Sequence, residues 1–210
     1  MKKFVTTLCA VAALALVAES AFAANAVRIS QVYGGGGGAS GTYIYDYVEL
    51  FNSSNANVNI PANTVLPPCS YYFIQTGAAG SGGVAFPVTP DQVSSSLSMS
   101  ASSGKVALVS QAGANLPCVG NTTGGVFVDV VAYGTGAGLC FETAAAPGTN
   151  ATQSVVRGLG GMTDTDNNSS DFSLSNSPVP HKSGVANRNP SCLSTPTSSG
   201  TWGRLKSIYR

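Results

Sequence analysis

Ionisable side chains are scarce in this chain of 210 residues: ten Lys and Arg, nine Asp and Glu, and a single His. Setting aside Lys2, Lys3 and Glu19, all within the first twenty residues, leaves eight of each sign, a formally neutral remainder. A sequence-independent nucleic-acid binder neutralises phosphates with clustered Lys and Arg. Here the basic residues are dispersed, apart from Arg204, Lys206 and Arg210 at the end, so the charge balance argues against a nucleic-acid partner. The lone His181 sits in the Pro-rich stretch PVPHKS and reads as a solvated loop side chain. Metal or nucleophile chemistry needs a second ligand or a base beside it, and the sequence gathers neither. No G-x-S-x-G, H-E-x-x-H or C-x-x-C pattern occurs. No catalytic residue is predicted. Also missing is any amphipathic pattern of ten or more residues before position 195, which excludes helical bundles and alternating α/β units.

The one long apolar run, FVTTLCAVAALALVA, follows Lys2 and Lys3 and leads to Ala21-Phe22-Ala23, a small-x-small cleavage pattern. Residues 1–23 are therefore predicted to be a secretory signal, too short to span a membrane. No other run approaches membrane length, so no transmembrane segment is expected, and the chain is placed outside the cell, in the periplasm or at the cell surface. Export changes the reading of the cysteines. Cys9 leaves with the signal, and Cys69, Cys118, Cys140 and Cys192 remain. An even count in an oxidising compartment favours disulfides, with three possible pairings. Cys118 and Cys140 flank VFVDVVAYGTGAG and are the preferred pair, which leaves Cys69 with Cys192 by elimination.

What is abundant is turn chemistry between short apolar strands. Strand candidates lie at 26–33, 45–51, 56–60, 71–76, 105–110, 126–133 and 153–157, separated by Gly, Ser, Asn and Pro. Gly36, Gly38 and Gly41 satisfy G-x-G-x-x-G, but TYIYDYVELFN behind them alternates at period two as a strand. A phosphate cradle needs a helix opening there, so this is a glycine loop joining two strands. GAAGSGGVAF and SSSLSMSASSG read as low-complexity, mobile loops. In the second strand Tyr47, Glu49 and Phe51 face one way and Ile44, Val48 and Leu50 the other, dividing surface from core. Asp46 and Glu49 are three apart on a strand, so they point to opposite faces and form no acid–base pair.

DTDNNSSD (164–171) places Asp164, Asp166 and Asn168 at alternate positions with Asp171 beyond, like the first half of a calcium loop. Its sixth position is Ser169 rather than glycine, and Ser175 stands where a glutamate would close the site. A turn held by Asx side chains is the competing reading. Calcium at Asp164, Asp166, Asn168 and Asp171 is the one cofactor expectation.

The ordered set VRISQVYGGGG, DYVELFN (46–52), YYFIQ (71–75), SGKVALV (103–109), VDVVAYG (128–134) and SVVRGLGGMTDTDNNSSDF (154–172) resembles the bacterial lamin tail domains. The resemblance runs from about Ala26 to Asn187. It implies an all-β fold, an immunoglobulin-like antiparallel β-sandwich without catalytic residues, found on secreted and surface proteins and often appended to nucleases or other hydrolases. Only PANTVLPPCS separates Ile60 from Tyr71, where the family carries a Gly-Trp strand and one more. One strand pair is therefore expected to be shortened or missing, with Cys69 at the junction. The expected organisation is a signal at 1–23, the sandwich domain at 24–190, and a Ser/Thr/Pro linker and short tail at 191–210. The expected function is a non-catalytic module for binding or attachment to an extracellular protein or surface component. The alternatives are a calcium-dependent or nuclease-associated accessory, and a structural matrix or adhesion protein. The tail TWGRLKSIYR spaces Trp202, Leu205 and Tyr209 as one or two amphipathic helical turns, a candidate docking handle.

Overall fold

The computed structural model describes residues 12–15, 26–60, 64–110, 118, 120–122, 125–136, 138–184, 188–190 and 192. The linker and tail expected from 193 onward, and most of the signal, lie outside the described residues.

β-Branched and aromatic runs form the longer strands, because their stiff side chains pack well on a pleated surface. These are β2 (Val27–Tyr33), β3 (Asp46–Asn52), β6 (Tyr71–Thr76), β8 (Gly104–Val109), β10 (Phe127–Tyr133) and β12 (Ser154–Arg157). Shorter strands complete the set: β1 (Ala12–Ala15), β4 (Val58–Ile60), β5 (Thr64–Leu66), β7 (Gln92–Ser94), β9 (Gly120–Asn121), β11 (Cys140–Phe141) and β13 (Phe172–Ser175). Among the described residues the helical content is two single turns, α1 (Gly158–Gly161), irregular at Leu159 and Gly160, and α2 (Asn168–Asp171). The fold is all-β.

A six-stranded sheet runs β13-β12-β2-β3-β6-β7, and a second runs β1-β8-β10. The pairing is mixed rather than purely antiparallel: β6 with β7 and β1 with β8 run parallel. β1 falls within the segment read as a signal, and its backbone lines the edge of β8 from Val106 to Val109. Where the strand pair was expected to be shortened, β4 and β5 form a three-residue antiparallel hairpin.

The two sheets contribute to one core. Val27, Ile29, Val48, Leu50 and Ile74 from the larger sheet meet Val106, Leu108, Val131 and Tyr133 from the smaller. Each fully buried aliphatic side chain of this kind contributes about 1.5–3 kcal/mol. The far side of the smaller sheet, Ala107, Val109 and Val130, packs on Cys118 and Cys140.

The expected division of β3 into a core face and a surface face does not hold. All seven residues from Asp46 to Asn52 are buried. Tyr47 packs with Tyr33, Tyr43 and Phe73 beneath Phe86 and Val88 of the following loop. Phe51 lies against Cys69, Tyr71, Met162 and Cys192. Segments distant in sequence thus roof the outer face of the large sheet, which a strand's own pattern does not report.

Both disulfides form, Cys69–Cys192 across 123 positions and Cys118–Cys140 across 22. The first ties the C-terminal segment to the β5–β6 junction.

The two stretches read as mobile loops are stitched down instead. Gly37 bridges Gly82, and Tyr43 bridges Val84. Met99 donates its N–H to Asp46, and the Tyr133 hydroxyl donates to Ser100 O. The glycines are there for proximity. Gly37 has φ +71°, and a Cβ on Gly80 would run into the Gly37 backbone.

Candidate functional site

Three places concentrate polar or aromatic side chains. The first surrounds DTDNNSSD. Arg157, 0 % exposed, enters from β12 and uses its whole guanidinium. Its Nε donates to Ile29 O, one terminal nitrogen to both Asp129 oxygens at 2.8 Å, and the other to Thr163 O and Asp164. Asp129 also accepts the Ile29 N–H, and the Phe172 ring lies 4.5 Å from the guanidinium carbon. Burial raises the Asp129 carboxyl above its ordinary value, a rise that Arg157 only partly offsets.

Of the four residues expected to hold calcium, two are committed elsewhere. Asn168 is fully buried: its amide donates to Val130 O and Glu142 Oε2, and its oxygen accepts from Ala132 N. Asp171 accepts the Thr165 N–H and hydroxyl, reaching back across the turn. Asp164 pairs with Arg28 at 3.1 Å and Arg157 at 3.3 Å. Asp166 is exposed, with φ +53°. Glu142, which the sequence reading passed over, joins Asp164 and Asp166 instead, the three offering oxygens within 4.8 Å of one another. Burial, then the charges of Asp129 and Asp164, push the Glu142 carboxyl up to about 8. No local signal marks Glu142, because it reaches this turn from the position just after β11.

The second place is His181, a loop residue that is exposed, as expected, but has partners. Its Nδ1 lies 2.9 Å from Glu49 Oε2, its backbone N–H donates to the same oxygen at 2.6 Å, and its ring stacks on Tyr71 at 4.7 Å. The buried Glu49 also accepts from the Ser30 hydroxyl at 2.7 Å. Two residues on, Ser183 donates through N–H and hydroxyl to Asp91, while Tyr43 holds Pro178 O at 2.7 Å. These bonds clamp residues 178–183 across the large sheet. Asp46 serves different loops, accepting from Gly36 N and Met99 N, so it and Glu49 do not act together.

The third is a shallow cleft of about 270 Å³ lined by Tyr45, Gln75, Phe86, Pro87, Thr89 and Pro90, among others. Phe86 is held from behind by Tyr43 and Phe73, at 5.0 and 4.8 Å between ring centres. Tyr45 flanks it at 6.0 Å, the planes 32° apart.

Among the described residues no helix is long and apolar enough to cross a membrane. No family model matches the chain, and neither does any curated protein or solved structure.

Proposed function

We propose that the chain acts after export as a non-catalytic β-sandwich module, immunoglobulin-like and of the lamin-tail type, that attaches to an extracellular protein or surface component. The observation that carries this reading is the use of its acids. Six of the eight carboxylates beyond the signal accept a backbone N–H: Asp46, Glu49, Asp91, Asp129, Glu142 and Asp171. A carboxylate so held fixes a loop on a scaffold; it is not set up to exchange protons with a substrate. The shared core between two sheets supports the sandwich, and two disulfides suit an oxidising compartment. Such a scaffold presents loops, where recognition usually resides.

The test is retention of the disulfide-intact mature chain on washed envelopes of the cells that make it. Saturable retention, with no hydrolysis of DNA, esters or phosphate esters, is the expected outcome. Deleting residues 196–210 should reduce retention; unchanged retention would remove the tail from the proposal.

The meeting of Glu142, Asp164 and Asp166 favours a second reading, a calcium-dependent accessory. Titration calorimetry with calcium decides it. Heat that disappears in Asp166→Asn supports a site, and no heat at millimolar ion dismisses it.

A further inference from the structure

We infer that the cleft between Tyr45 and the loop at 85–90 binds a neutral saccharide, one or two rings in extent. The inference rests on the attachment reading and supplies its ligand class.

The cleft has three properties that together specify such a ligand. It is uncharged: none of its lining residues carries a charge at neutral pH. The adjoining Asp91 directs its oxygens to Phe73 N and to the Ser183 N–H and hydroxyl instead. A phosphate, carboxylate or ammonium group would find no opposite charge among these residues.

It is also aromatic on a fixed wall. Phe86 is wedged among Tyr43, Tyr47 and Phe73, so its ring is set before anything binds, and Tyr45 extends the same wall. Pro87 and Pro90 stiffen the loop that carries Phe86, because proline fixes φ. An aromatic face takes up the C–H-bearing side of a sugar ring, the one apolar surface that a polyol presents.

Finally, its polar groups are solvated rather than bonded to protein: Thr89 is exposed, and Gln75 and Tyr45 are half-buried. The Gln75 amide, Thr89 hydroxyl and Tyr45 hydroxyl make no side-chain hydrogen bond to the described protein. Gln75 follows Phe73 by two on β6, so alternation places it on the outer, roofed face beside the aromatic wall. An amide and hydroxyls supply donors and acceptors together, as vicinal hydroxyls require. A volume of about 270 Å³ sits just below the usual small-ligand range of about 300–1,000 Å³, which limits the occupant to a short segment. A proline-rich peptide is the competing ligand for an aromatic groove, but it needs a run of successive ridges along an extended helix. One cleft with free amide and hydroxyl groups fits the sugar better.

The test uses the mature chain with both disulfides intact, isotope-labelled, followed by amide chemical shifts. It is titrated separately with cellotetraose, chitotetraose and maltotetraose, and with a decaproline peptide. Millimolar-range binding by at least one saccharide is expected, with shifts centred on Gln75, Phe86 and Thr89. Gln75→Ala should weaken it about tenfold, the loss of one or two hydrogen bonds. Tyr45→Ala should weaken it at least as much, and should leave the spectrum away from the cleft unchanged. No shift with any saccharide overturns the inference, as do shifts that survive both substitutions or decaproline binding in place of the sugars. Envelope retention separates the two levels of the argument. Retention by the wild type without saccharide binding sinks the ligand class alone; absence of retention sinks the attachment reading beneath it.

Discussion

Arg157 is the residue on which three buried or half-buried carboxylates converge. Its guanidinium is wholly buried and meets Asp129, Asp164 and Asp171, at 2.8, 3.3 and 3.6 Å. Removing one partner of a buried pair leaves an uncompensated charge and costs about 3–5 kcal/mol. Arg157→Met should therefore lose about that much in urea unfolding, whereas Asp166→Asn, at an exposed carboxylate, should stay within about 0.5 kcal/mol of wild type. His181 gives a pH test. Its hydrogen bond to Glu49 raises its pKa in the folded state, against an opposing push from burial. A raised histidine stabilises fully below its unfolded pKa, and the contribution is lost as pH climbs through the folded value. The side chain is 46 % exposed, so the effect is modest. Thermal stability should fall from about pH 6 to pH 8.5 by more in wild type than in His181→Gln. Equal slopes would show that the Glu49 contact is energetically idle. Glu142, raised to about 8, pulls the slope the same way in both proteins, so the difference isolates His181.

At the scale of elements, the long strands were legible because period-two alternation of Val, Ile, Tyr and Phe is a local signal. β5, β7, β9 and β11 are two or three residues long, too short to show any period. Burial of the Tyr47–Glu49–Phe51 face was illegible for a different reason: its roof comes from Phe86 and from His181, the latter 132 positions from Glu49. The acidic turn was half legible. DTDNN marks Asp164 and Asp166, but Glu142 arrives from the residue after β11, Asn168 turns inward onto β10, and Asp171 turns back to Thr165. The glycine loops carry a checkable consequence. Gly80→Ala forces apart two backbones in contact and should cost about 1–3 kcal/mol. Gly136→Ala, where a Cβ would meet nothing within 4 Å, should be neutral or slightly stabilising. The disulfides rank in the same way. In the chain-entropy view a crosslink spanning 123 positions is worth about 5 kcal/mol and one spanning 22 roughly 3. The Cys69→Ser, Cys192→Ser double variant should melt lower than its Cys118, Cys140 counterpart, and residues 178–192 should become the first site of proteolysis.

Over the whole molecule, scarce charge and abundant structural clamping fit the proposed scaffold. Its carboxylates hold loops in place and its outer sheet face is roofed. The uncharged aromatic cleft by Tyr45 is left accessible. The most direct test is the binding isotherm of the disulfide-intact mature chain on washed envelopes of its own host. Saturable retention that collapses when Cys69–Cys192 is reduced is the predicted result. A protein that stays in solution at every concentration, or that turns over a substrate while doing so, would contradict the account.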